Sequence, residues 1–225
     1  MYLFMRNVRI LKQLRVTLKS DYFRIRTKRQ SELIHPTLSI WKTTYVTFWI
    51  LVSTTIVSWA ILPLFNKGKD LPFKASYPYD TKASPVYEIT YIHQVVGIFL
   101  SAMASLNIDT FMAALMMIIG AQCDLLCDDL RNLKNSVVSD FVASLIECIK
   151  RHKEILSFAE ESNKFFNMIV LGQFFTSTVT LGLTMFQLSL VDPLSTEGYP
   201  LLFYESSLTV QLFLYCWFGN EVEIK

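Results

Sequence analysis

The side chains able to make or break bonds in this chain are few and scattered. His35, His93 and His152 are the three histidines, and none has a second histidine within four residues. No GxSxG, GxxxxGK[ST] or HExxH pattern occurs, so neither a nucleophile elbow, a phosphate-cradling loop nor a zinc helix is encoded. Cys123 and Cys127 stand four apart and Cys148 has one histidine nearby, but no CxxC pair accompanies them. That spacing does not make a zinc site, and the four cysteines, Cys216 being the last, read as small buried thiols. The chain is therefore read as no enzyme, with no catalytic residue, metal or cofactor.

The remaining chemistry is recognition. Ligand sites in helix bundles are mostly apolar with a few placed polar groups. Val52, Thr55 and Trp59 share one face of an apolar stretch, and Tyr204, Ser207 and Gln211 share a face of another. Rings that carry a hydroxyl or N–H give a small lipophilic ligand contact area and one hydrogen bond. Aromatic residues at such spacing also serve as ordinary packing or as belts at a membrane surface.

The elements that hold these faces are apolar and long. The chain of 225 residues is 52% hydrophobic and only 18% charged, with a mean hydropathy of +0.36, against roughly 25% charged in soluble domains. Thr43–Asn66, Ile89–Ile108 and Phe165–Val191 hold 24, 20 and 27 residues without a charge, and about 20 apolar residues cross a bilayer. Ser206–Asn220 is shorter at 15 residues and extends backward if Glu205 sits near an interface.

Four membrane spans are thus expected, at 44–65, 89–118, 165–191 and 200–219, within a single transmembrane domain. Ten Lys and Arg lie in segment 1–42 and six in 124–164, against four in 66–88 and none in 192–200. Cytoplasmic loops retain positive charge, which puts both ends, segment 1–42 and the helical region 119–164 inside the cell, and 66–88 outside as a loop. Pro72, Pro78 and Pro85 keep that loop from forming a regular helix. No nucleic-acid module accompanies the basic residues, so the partner they imply is a lipid bilayer.

Two finer expectations concern buried polarity and the inner region. Asp109 interrupts the second span; it is read as lying near the inner interface, the competing reading being a polar contact or ion path. Val138, Val142, Leu145, Ile149, His152, Leu156 and Ala159 alternate steps of four and three, a seam that asks for a partner helix with His152 packed inside it. The fold class is all-α: a polytopic transmembrane helix bundle with a cytosolic helical extension.

The loop "LPFKASYPYDTKASPVYEITYIHQ", the stretches "AQCDLLCDDLRNL" and "CIKRHKEILSFAEESNKFF", and the ending "QLFLYCWFGNEV" together resemble the insect odorant receptors, a seven-span olfactory family. Their order matches that family's third to sixth spans. The resemblance implies a multi-pass cell-membrane protein of olfactory neuron dendrites that binds a small volatile odorant. It also implies an odorant-gated cation channel, formed as a hetero-tetramer with the family's co-receptor. The implied ligand positions are Val52, Thr55, Trp59, Ile98, Tyr204 and Ser207. A seventh helix lining the pore and two earlier spans are further implied, so the chain is expected to be a fragment that does not conduct alone. A gustatory receptor is a neighbouring reading, and a complete four-span structural or adaptor membrane protein the competing one.

Glycan-acceptor insertions check the orientation. An acceptor placed beside Lys82 is expected to be modified in cells, and acceptors beside Arg24 or Lys150 to remain bare; modification at either of the latter reverses the topology.

Overall fold

The computed structural model describes residues 8–25, 27–65, 71–73, 75–133, 138–192, 194–195 and 198–224. Expectations resting on Met1–Phe4, Arg6, Arg26, Lys67, Lys69, Lys74 and Lys134, and on the side chain of Val138, lie outside them. The described residues form five α-helices and no strand. They are α1 (Val8–Leu18), α2 (Lys28–Ile61), α3 (Val86–Leu133), α4 (Val138–Leu190) and α5 (Gly198–Ile224), with 3-10 turns at Asp21–Phe23 and Leu62–Phe65.

Local chemistry explains the starts. Thr27 accepts the Gln30 N–H on its hydroxyl at 3.2 Å, a Thr-x-x-Gln cap that begins α2 well before the expected span at 44–65. Pro36 lies inside α2, where it forfeits one backbone bond without ending the helix. Ser84 donates to the Glu88 carboxylate at 3.0 Å beside the first turn of α3. The Ser195 hydroxyl and carbonyl both accept from Gly198, at 3.0 and 3.1 Å, and so cap α5.

The expected spans are therefore parts of longer rods. The region 119–164 divides between the end of α3 and the start of α4, helices of 48 and 53 residues, or about 70–80 Å each. Among the described residues three helical stretches are long and apolar enough to cross a membrane: Lys28–Phe65, Val86–Leu133 and Phe141–Leu190. Helix α5, at 27 residues, also has the length, but Glu205, Ser206, Ser207 and Gln211 dilute its apolar run.

The chain packs as two compact units. The first comprises Met1–Thr43, Met112–Phe175 and Leu214–Lys225, and it has an apolar core. Met112, Leu115, Leu125, Phe158 and Phe165 are almost fully enclosed there. Ala113, Met116, Met117 and Phe218 form one cluster, flanked by Trp41, Phe166 and Leu214. The Phe23 and Phe158 rings meet at 5.2 Å.

A polar network crosses this unit beside the core. Arg151, 3% exposed, donates to Asp129 at 2.5 Å and to Gln122 at 3.0 Å. Gln122 in turn donates to the Phe23 carbonyl at 3.3 Å, and Gln30 donates to the other Asp129 oxygen at 2.7 Å. The charge of Arg151 is thus matched by a carboxylate and an amide oxygen, the condition under which a buried guanidinium is tolerated.

Within this chain α4 packs along a stripe other than the expected seam. Cys148, Arg151, Ile155, Phe158, Ser162 and Phe165 face inward, while Val142, Ile149 and Leu156 are exposed. His152 is exposed as well and not packed. Arg151 and Ser162 carry polar groups on the buried stripe, which hides it from a purely apolar pattern. Only Cys148 of the four cysteines is buried; Cys127 and Cys216 are exposed and Cys123 lies between, all four as free thiols.

The second unit, Thr44–Phe111 and Thr176–Phe213, has the opposite polarity. Phe48 and Leu106 are its buried apolar residues, among many buried polar ones: Thr55, Ser58, Thr90, Gln94, Asp109, Ser177, Thr184, Glu205, Ser207 and Gln211. Trp49, Ile50, Val57, Ile92, Phe99, Leu100, Leu183, Phe186 and Phe213 point outward. A surface this apolar around a polar interior suits hydrocarbon and would be unstable in water.

Arg151→Leu is expected to cost about 3 kcal/mol, because it leaves the Gln122 carbonyl oxygen without its donor and Asp129 with Gln30 as its remaining donor. Arg29→Ala removes an ion pair between an arginine 65% exposed and an Asp128 side chain 6% exposed; Asn132 still donates to Asp128 at 3.3 Å, so a smaller loss of about 1 kcal/mol is expected. Thermal unfolding in detergent would separate the two, and equal midpoints would remove the network from the stability of this unit.

Candidate functional site

The candidate site is built from the second unit's buried hydroxyls. Thr55 on α2 and Ser207 on α5 place their side-chain oxygens 3.0 Å apart. Both are nearly enclosed, at 7% and 9% exposure. Ser207 lies 2.8 Å from the Phe203 carbonyl, and Thr55 lies 3.0 Å from the Leu51 carbonyl and 3.3 Å from that of Phe203.

A proton inventory follows from these distances. Each hydroxyl has one hydrogen and two lone pairs. The Ser207 hydrogen has the Phe203 carbonyl or Thr55 as acceptor, and the Thr55 hydrogen has the Leu51 or Phe203 carbonyl or Ser207. Both hydrogens are used within the protein, and lone pairs remain. The pair therefore presents acceptors, and any group bound to it matches best as a donor.

One turn along α2 from Thr55, Trp59 stacks on Phe73, with centroids 4.6 Å apart and planes at 24°. Between them Ser58 donates to the Thr55 carbonyl at 2.7 Å. Val52 and Tyr204 precede Thr55 and Ser207 by three residues on their helices and are half-buried, as is Ile98 on α3. Of the six expected positions, the structure thus joins Thr55 directly to Ser207 and sets Trp59 one turn after Thr55 and against Phe73.

Other polar residues of this unit were not singled out as site residues from the sequence. Gln94 grips the Phe73 backbone and Tyr77, and Tyr91 donates to the Ala60 carbonyl at 2.6 Å. The clue was available: Thr90, Tyr91 and Gln94 are polar positions in an otherwise apolar run.

Asp109 is 8% exposed and accepts from Gln211 at 2.6 Å, both residues belonging to this unit. It makes the polar contact that the competing reading expected. A carboxylate shielded from water needs such a donor, and Gln211 is positioned one turn after Ser207 on the same helix.

A double-mutant cycle tests the hydroxyl pair. Thr55→Val and Ser207→Ala are each expected to cost about 1 kcal/mol, with a coupling of roughly 0.6 kcal/mol. Thermal unfolding of the singles and the double in detergent measures it; strictly additive losses would mean that the two side chains do not interact.

Comparison with known proteins then bears on the whole chain. A family model described as "7tm Odorant receptor" matches residues 1–224. Odorant receptor Or1 of Anopheles gambiae is 26% identical over 208 residues, which cover 78% of this chain and 50% of that protein. Odorant receptor 33b of Drosophila melanogaster is 22% identical over 212 residues, covering 91% and 52%. The chain spans about half the length of these relatives. The solved structure of the insect olfactory receptor OR5 from Machilis hrabei, in complex with eugenol, superposes with a TM-score of 0.85 over 98% of this chain and 58% of that one, at 22% identity. That likeness fixes the all-helical fold. With its outward-facing apolar helices and a family match running from one end to the other, this chain belongs to the odorant receptor family of membrane proteins.

Proposed function

We propose that the protein carrying this chain is an odorant receptor that binds a small, volatile, lipophilic ligand among the buried faces of the second unit. The observation that carries the reading is the Thr55–Ser207 hydroxyl pair, enclosed in an otherwise outward-greasy unit with Trp59 one turn away. Val52, Ile98 and Tyr204 complete the proposed lining. Family membership supports the class of ligand, and the OR5 structure supports it by analogy, since that protein was solved with eugenol.

The proton inventory narrows the ligand. With both hydroxyl hydrogens already used within the protein, an odorant that brings its own O–H is matched, whereas an ether or ester can only compete for those hydrogens. Trp59 and Tyr204 supply flat area for the carbon skeleton. Signalling follows the family: an odorant-gated cation channel, assembled as a hetero-tetramer with the co-receptor, in a multi-pass orientation at the cell membrane. The absence of catalytic chemistry in the sequence accords with a family of receptors.

Recording odour-evoked current from the receptor, co-expressed with the co-receptor, tests this. Trp59→Ala and Tyr204→Ala are each expected to shift potency about tenfold for at least some ligands while surface abundance holds, and an alcohol is expected to outperform its methyl ether. Unchanged concentration-response curves in both variants would remove these residues from the site.

A further inference from the structure

Gln94 sits one turn after Thr90 on α3, and both side chains are buried in the second unit. Their partners all come from the described part of the segment between α2 and α3. The Gln94 carbonyl oxygen accepts the Phe73 N–H at 3.0 Å, and its amide nitrogen donates to the Phe73 carbonyl at 3.2 Å and to the Tyr77 hydroxyl at 2.9 Å. Thr90 meets the Tyr79 hydroxyl at 3.3 Å, and the Tyr77 and Tyr79 rings pack at 5.2 Å.

The grip on Phe73 is two-sided, as one strand residue grips another. Its carbonyl also accepts the Ala75 N–H at 2.9 Å. With both backbone groups of Phe73 held, the direction of its side chain is set, and the ring lies flat on Trp59. Phe73 is 43% exposed, so the stack with Trp59 leaves part of it uncovered.

We propose that Gln94 is a positioning residue that latches this segment as a lid, holding the Phe73 ring over Trp59 and so governing ligand entry and exit. The inference rests on the reading of Trp59 as part of the ligand site. Only a glutamine fits all three bonds. Glutamate keeps the acceptor and loses both donors, and asparagine is one methylene too short. Tyr77 bonds to Gln94 and Tyr79 to Thr90 one turn before it, so the latch is made of four side chains rather than one contact.

Hydrogen exchange of segment 71–79, measured by mass spectrometry on the purified receptor, reads the latch without any odorant. Gln94→Glu is expected to exchange about tenfold faster there, having lost two hydrogen bonds. Tyr77→Phe, which removes one bond and keeps the ring, is expected to exchange about threefold faster and serves where the first variant does not reach the surface. In current recordings with rapid odour pulses, both variants are expected to show faster onset and faster washout. Unaltered exchange in these variants would overturn the latch, and faster exchange with wild-type onset and washout would overturn its role as a lid. Failure of the ligand-site reading is separate: it appears as an unchanged concentration-response curve in Trp59→Ala, whatever the exchange rates show.

Discussion

A polar group in hydrocarbon has no water to fall back on, and the second unit is organised by that constraint. Each backbone N–H and C=O must be paired within its own helix, and each polar side chain must turn away from lipid. Thr55, Gln94, Asp109, Ser207 and Gln211 do so, and each meets a protein partner at hydrogen-bond distance. The apolar residues are left on the outside by default. In the first unit the order is reversed, with phenylalanine, leucine and methionine inside. The same long helices α3 and α4 supply residues to both units.

This inversion bears on what a recognition site can be. In water a polar cluster in the interior costs folding free energy relative to apolar packing. In hydrocarbon the polar residues have nowhere else to go, so a unit of this kind carries hydrogen-bonding groups in its interior whether or not a ligand uses them. Recognition then needs only spare lone pairs or hydrogens, and the Thr55–Ser207 pair keeps lone pairs after its own hydrogens are committed. Asp109 and Gln211 differ, because the carboxylate is held by a donor at 2.6 Å and the contact serves first to make the acid tolerable.

Much of this was legible in the residues alone. The uncharged runs placed the apolar helices, and the helical spacing of Thr55 and Trp59, and of Ser207 with Gln211, picked out faces that are indeed turned inward or half-buried. The motifs "AQCDLLCDDLRNL" and "QLFLYCWFGNEV" carried the family. What the apolar pattern did not mark were the helix starts and the stripe along which α4 packs within this chain. Thr27 caps α2 through a hydroxyl, a signal carried by one residue pair that a search for apolar runs passes over, and so the helix begins far earlier than the span. On α4 the true inward stripe includes Arg151, which no apolar periodicity would choose; its burial depends on Asp129 and Gln122, twenty and more residues distant in sequence.

Gln94 shows why long-range polar contacts resist sequence reading. Nothing about a glutamine between His93 and Val95 specifies a partner, since an amide can satisfy itself against water, lipid headgroups or its own helix. The partner is chosen by the proline-rich segment, whose residues cannot pair with one another in regular structure and must find donors and acceptors elsewhere. Phe73 offers a free N–H and a carbonyl, and a side-chain amide is the one group that presents a matching acceptor and donor side by side. The same requirement that forbids helix in this segment therefore also dictates how it is tied down, and its ring comes to rest on Trp59 as a consequence.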